Sequence, residues 1–362
     1  MKALSKFKLG TSAAASWAWG TSLIMGQQIA QEKGITAWVI WAVCNTLTLA
    51  LFGFLSHRGY LSADIYRRKE VKIIAVIIQL FCLLVQLNFI NKQFLTITGN
   101  ENTSYIITAL IGVGFTLMVF RKGLPTSVKT DVVQWIMAIG VVIAIIAVGK
   151  FGGAELQAFA PTTSSGVTWG IWSGLILFAG PIGDVQHWQR AEADKTGKAY
   201  YIGAVLFGLY MLLILGMAFF KFNKTMNIML LIAVLGVTTS TIDSIAVALH
   251  EMGNKKIGTG VSIILCGAFG MFVKMGMMDL WASFGVIRFA FAVGILLLPL
   301  ALKGKALAVI PSTLAASAVI AYFTANGQIV IASAAGIISL AVAIAILGFA
   351  ATMSCIKYKR NA

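Results

Sequence analysis

The sequence predicts an all-α polytopic membrane protein of about twelve helices, the first ten forming two five-helix blocks of opposite orientation. Three observations predict it. Of 362 residues, 59% are hydrophobic and 11% charged, and apolar stretches of about 20 residues, enough to cross roughly 30 Å of hydrocarbon, recur from end to end. The first and sixth stretches are interrupted by small or helix-breaking residues at matching places in the two blocks. The basic residues gather at alternate connections.

The first stretch, 9–30, is followed by no small-residue cleavage site and reads as a retained helix. It carries the interruption Ser16-Trp17-Ala18-Trp19-Gly20. Stretches at 35–56, 71–97, 104–121 and 129–149 complete a first repeat over 9–150. The gap 150–166 is the longest external connection and joins the blocks. The sixth stretch, 167–190, holds Gly180-Pro181-Ile182-Gly183 ahead of Asp184. With 198–221, 226–251, 257–275 and 279–301 it makes a second repeat over 167–301, inverted because each repeat has an odd number of helices. Two further stretches, 306–324 and 328–354, are rich in Gly, Ala and Ile, contain no acid, and read as a peripheral packing or dimerisation pair. Short connections leave one transmembrane domain, 1–362.

A net charge of +16 raises nucleic acid as a partner until it is mapped. Twenty-one of the 28 Lys and Arg fall at the termini or in the even-numbered gaps, among them Arg58, Arg67, Arg68, Arg121, Lys122, Arg190 and Lys255. Cytoplasmic loops concentrate such residues, so both termini are expected in the cytoplasm of a cell-membrane protein, and nucleic acid is dropped. Cys44, Cys82, Cys266 and Cys355 have no metal-site spacing and read as buried thiols. No metal or nucleophile constellation suggests an enzyme.

Breaking a helix inside hydrocarbon strands backbone groups unless protein, water, substrate or ions satisfy them. Paired breaks in two halves therefore point to a transporter whose site lies between them. Helix eight reads V-T-T-S-T-I-D-S, placing Ser240, Thr241, Asp243 and Ser244 in a span. Membrane hydroxyls commonly bond back to a carbonyl one turn earlier or to a neighbouring helix, whereas an intramembrane acid tends to line a water or ion path. Counted at 1.5 Å per residue, Ser240 and Thr241 lie roughly 22 Å below the outer edge, and residues 15–18 roughly 9–14 Å above the inner one. The two groups approach one level. Carbonyls from the first break plus two hydroxyls make a weakly charged oxygen cage suited to Na⁺.

These residues resemble the solute:sodium symporters of the LeuT-fold superfamily. Lys122 to Trp135, K-G-L-P-T-S-V-K-T-D-V-V-Q-W, looks like that family's signature, and S-T-I-D-S at 240–244 is similar to its cation-site helix. D-V-Q-H-W-Q-R-A from Asp184, A-A-S-W-A-W at 14–19 and D-I-Y-R-R at 64–68 look most like its urea and polyamine branch. The resemblance covers roughly 10–300 and implies sodium-coupled symport of a small, nitrogenous solute. It implies a sodium site from the carbonyls of Ala15, Ala18 and Val237 with the hydroxyls of Ser240 and Thr241, and Asp131 on the ion-release path. Asp131 also reads as a helix N-terminal acid favoured by the dipole. The extra helix that the family places ahead of the first core span has no counterpart before Lys2, Lys6 and Lys8.

For the solute, Trp17, Trp19, Ser22, Gln27, Gly180 and Gly183 are the candidate contacts. Indole faces suit a flat amide such as urea or attract an organic cation; Trp169 and Trp172 read equally as an interfacial belt. Asp184 and Gln186 are expected near the inner mouth, as gate or packing residues, with Asp243. Depth counting puts Arg288 roughly 11 Å from Asp184, a poor direct pair, so Arg288 is expected to bridge to backbone carbonyls. His57, His187 and His250 are expected at the inner boundary. Two rivals stand beside sodium symport: proton coupling through Asp243 or Asp131, and a substrate sensor that does not transport. The expected partners are a small solute, the bilayer and a second copy of the chain, with Na⁺ as coupling ion and no organic cofactor.

Overall fold

A computed structural model describes residues 5–61, 65, 68–120, 123–194, 196–252 and 255–268, with isolated positions between 281 and 295. Residues 306–354, Cys355 and most of 64–67 and 279–301 lie outside the described residues. The first span is two helices, α1 (Lys6–Trp17) and α2 (Gly20–Lys33). Spans two to five are α3 (Ile35–His57), α4 (Lys69–Thr98), α5 (Glu101–Phe120) and α6 (Leu124–Phe151). The sixth is three pieces, α7 (Ser164–Phe178), α8 (Gly180–Gly183) and α9 (Val185–Asp194). Then follow α10 (Lys198–Ala218), α11 (Lys224–Met252) and α12 (Lys255–Ala268). Six of the described segments are long and apolar enough to cross a bilayer.

The packing is that of a protein with lipid outside. Val39, Val43, Leu47, Leu51 and Phe54 recur at helical spacing on α3 and are exposed, as are Val205, Leu209 and Leu212 on α10. Polar side chains are instead buried: Ser12, Gln79, Gln86, Asp131, Asp184, Asp243 and Arg288 are at most 1% exposed. In water this arrangement would cost heavily; in hydrocarbon it is the stable one.

Interior contacts follow the inverted repeat. α3 packs on α7, the first piece of span six, and α10 packs on α1, the first piece of span one. Exchanging spans one with six and two with seven turns one contact into the other. The segment between the repeats lies across one end, where Ala160 N–H donates to Gln31 O at 3.1 Å and Gln157 N–H to Phe219 O at 2.8 Å. Gly34 turns the chain from α2 into α3 at φ +89°, and a Cβ there would meet Ala160 O at 2.9 Å. Only glycine takes that turn without strain.

Both interruptions are present, the second shifted from its expected place. In span one the helix stops at Ala18 (φ −75°, ψ 67°) and Trp19 (φ −60°, ψ 160°). In span six, Gly180–Gly183 is itself a helical turn, and the path bends at Ala179 and leaves helical geometry at Asp184 (φ −104°, ψ 109°). Pro181 explains the shift: proline at the start of a helix lacks an N–H that would be unpaired there anyway, so it begins a turn.

Candidate functional site

The first break diverts three backbone donors. Trp19 N–H bonds Trp17 O at 2.9 Å, Gly20 N–H bonds Gln86 Oε1 at 3.3 Å, and Ser22 N–H bonds Trp19 O at 2.9 Å. In a continuous helix these three would close on the carbonyls of Ala15, Ser16 and Ala18. Those carbonyl oxygens are thus released from the ladder. Two contacts bracket them against α11. Ser16 Oγ is 3.2 Å from Ser244 Oγ, and a Cβ on Gly20 would lie 2.7 Å from Thr238 Cγ2. The chains run antiparallel here, so the stretch around Ala18 faces the turn holding Ser240 and Thr241. Thr241 Oγ1 donates to Val237 O at 3.1 Å, the local back-bond, while Ser240 Oγ donates to Asp131 Oδ1 at 2.6 Å.

On α6, Ser127, Thr130, Asp131 and Gln134 stand at positions i, i+3, i+4 and i+7, one helix face. Each meets α11. Ser127 and Thr130 donate to the two oxygens of Asp243 at 2.7 and 2.6 Å, and Gln134 donates to Thr239 at 3.0 Å. The T-S-V-K-T-D-V-V-Q spacing is therefore a polar seam between two spans. Asp243 holds that seam.

Asp131 is not free. Its Oδ2 accepts from Arg190 Nη2 at 2.7 Å and from the Ser12 hydroxyl, which itself accepts from Arg190 Nε at 2.7 Å. Arg190 also donates to Ser244 Oγ at 2.7 Å and to Gln186 O at 2.8 Å. Arg190, expected in a loop, is 1% exposed. The bends in span six carry it back into the bundle, where one guanidinium ties α1, α6, α9 and α11 together. Its place inside D-V-Q-H-W-Q-R-A, at the end of the sixth stretch, was the signal that sets it apart from the loop bases.

Around the second break the depth estimate fails. Arg288 Nη1 donates to Asp184 Oδ2 at 2.8 Å, a direct ion pair. Linear rise does not hold through a span bent at Ala179 and Asp184, and Asp184 sits at the bend, fully buried. Cys82 Sγ approaches its other oxygen at 3.5 Å. The guanidinium carbon lies 4.6 Å from the Trp19 ring centroid, 4.9 Å from Phe284 and 5.5 Å from Trp17. The indole faces expected to meet a solute cation thus already hold one.

Of the other expected contacts, Trp17 donates its indole N–H to Asn45 O at 3.0 Å and lies on Gly180, while Gly183 backs onto the Arg288 stem. Ser22 is buried one turn into α2, and Gln27 is half-buried, roughly 12 Å beyond Trp19 at helical rise. Gln186 is buried, and neither atom of its side-chain amide has a partner among the described residues. His187, expected at the inner boundary, is buried against Trp17 at 5.7 Å and near Phe52. The sequence pointed to no role for Gln79 and Gln86 and took Cys82 only as a buried thiol. Their spacing (i, i+3, i+7) on one face of α4 was the available signal.

No family model matches the chain, and no curated protein matches it. Among solved structures, a substrate-bound, outward-open Na⁺-coupled sialic acid symporter matches at TM-score 0.61 and 11% identity, over 94% of this chain and 88% of that one. The fold is of the LeuT type. The chain is a multi-pass membrane protein of that architecture, with its two broken spans meeting at the Trp17–Trp19 and Asp184–Arg288 cluster.

Proposed function

We propose that the chain is a sodium-coupled symporter of a small polar solute, working by alternating access in the cell membrane with both termini cytoplasmic. The observation that carries this reading is the release of the Ala15, Ser16 and Ala18 carbonyls opposite Ser240 and Thr241. The Ser240 and Thr241 hydroxyls give their protons to Asp131 and Val237 O, so their lone pairs are free to face a cation. Thr241 Oγ1 and Val237 O are near enough to share one ion, so Ala15, Ala18, Val237, Ser240 and Thr241 remain the proposed ligands. An all-oxygen set without a carboxylate suits a monovalent ion better than a divalent one. The sialic acid symporter of similar fold is Na⁺-coupled, which supports the same ion.

Asp131, one hydrogen bond from Ser240, is the first acid that a released cation meets. Arg190 must leave it before the ion can pass, which makes the Arg190–Asp131 pair an inner latch. The two five-span blocks, 9–150 and 167–301, rock against each other around the breaks. Sodium biases that motion only through its differential affinity for the two states.

Ser240→Ala with Thr241→Ala is expected to abolish sodium-stimulated uptake in proteoliposomes. Uptake that responds to Na⁺ as in wild type would remove the site. Replacing Na⁺ by choline at fixed pH separates sodium from proton coupling, and any gradient-driven flux separates transport from sensing.

A further inference from the structure

Three buried donors around the first break have no partner among the described residues: Trp19 Nε1, Arg288 Nε and Gln86 Nε2. The Gln86 amide orientation is fixed, because its Oε1 accepts from Gly20 N–H. The Arg288 guanidinium carbon is 4.6 Å from the Trp19 ring centroid, and Gln86 bonds the residue after Trp19, so all three side chains border the same break. Trp19, Arg288 and Gln86 are 2%, 1% and 0% exposed. Buried polar groups are ordinarily paired, and unpaired donors gathered at one point call for an acceptor from outside.

Resting on the transport reading above, we propose that the solute carries a carboxylate and that Arg288, Trp19 and Gln86 receive it. Charge excludes an organic cation. The aromatic faces are covered by the Arg288 guanidinium, and Asp184, the nearest acid, is already neutralised by it. A polyamine would have to displace Arg288 from these rings and from Asp184. Urea answers the three donors with one carbonyl oxygen and brings further N–H groups of its own. A carboxylate brings two oxygens with about four acceptor positions. Guanidinium also attracts carboxylate by charge, and the unpartnered Nε of Arg288 is available to one of its oxygens. Nη1 stays on Asp184, which holds the guanidinium in place.

The test is thermal stabilisation of the purified full chain in detergent with Na⁺, using matched probes: propionate against propionamide, benzoate against benzamide, with urea and putrescine. At least one carboxylate is expected to stabilise the protein where its amide does not. Arg288→Gln is expected to weaken that binding by about ten-fold or more, the loss of one charge-assisted hydrogen bond. Trp19→Phe, which keeps the ring and removes the N–H, is expected to weaken it several-fold. Because Arg288→Gln strands Asp184, the Arg288→Gln/Asp184→Asn pair serves as the second variant. Stabilisation by no carboxylate, equal stabilisation by amide, urea or putrescine, or wild-type binding in these variants overturns the proposal. Carboxylate binding without sodium-driven flux overturns the transport reading alone. Sodium-driven urea uptake that survives Arg288→Gln overturns the carboxylate alone.

Discussion

At the residue scale, the second break is held by a glycine whose absent side chain leaves room for a tryptophan. A Cβ at Gly180 would lie 2.0 Å from Cη2 and 2.5 Å from Cζ3 of Trp17. Trp17 cannot yield easily, because its N–H is bonded to Asn45 O and its ring meets the Arg288 guanidinium. Gly180→Ala is therefore expected to destabilise the protein by about 1–3 kcal/mol, the usual cost of overpacking a filled site. Trp17→Leu in the same chain should restore part of it, as measured by the midpoint of thermal unfolding in detergent. An unchanged midpoint in Gly180→Ala would mean that Trp17 does not rest on the second break. Residues such as Trp17, Trp19, Ser240 and Asp131 stood out in the sequence because a polar or bulky group in an apolar span is conspicuous. Arg190 and Arg288 did not yield their roles to the same reading. Their partners are set by where bent segments bring them, and counting rise per residue assumes straight ones.

At the scale of elements, the breaks themselves were legible to within a residue or two, since Gly and Pro interrupt helices wherever they stand. Which side of Gly180-Pro181 gives way was not, because a Gly-Pro pair ends one helix or begins another equally well. The ion pair between α9 and α6, proposed above as a latch, was hidden for a related reason: it forms only because span six is in three pieces. Arg190 and Asp131 are 1% and 0% exposed and joined at 2.7 Å. Removing one partner of such a buried pair costs about 3–5 kcal/mol in the state that contains it. A latch confined to the inward-closed state passes that cost to the conformational equilibrium, whereas a static strut passes it to folding. Arg190→Gln is expected to open the end of the bundle at which α1 begins. With a reporter cysteine at Lys8, an exposed position one turn from Ser12, thiol-labelling kinetics in the presence of Na⁺ should quicken in the variant. A fall in melting temperature with labelling kinetics unchanged would make the pair a strut.

At the scale of the whole molecule, the inverted repeat was legible because it depends on counts: five apolar stretches, an odd number, then five more with the broken one again first. The unpaired donors on which the proposed carboxylate rests were not, because which donors remain unpaired after the internal hydrogen bonds are made is a property of the assembled bundle. That assembly has a thermodynamic consequence. The first break carries both the carbonyls of Ala15, Ser16 and Ala18 proposed for the ion and, at Trp19 and Gly20, contacts to the donors proposed for the solute. Ordering the break with an ion must then alter the solute's affinity, and by linkage the solute must alter the ion's affinity by the same factor. Couplings of this kind are commonly about 5–150-fold. Titrating the stabilising carboxylate at several Na⁺ concentrations, and Na⁺ at several carboxylate concentrations, should return one factor from both directions. In the Ser240→Ala/Thr241→Ala protein both factors should fall to about one, while the carboxylate keeps its sodium-free affinity. If Na⁺ leaves carboxylate affinity unchanged in the native chain, ion and solute do not meet at the first break, and coupling must be carried by some other part of the bundle.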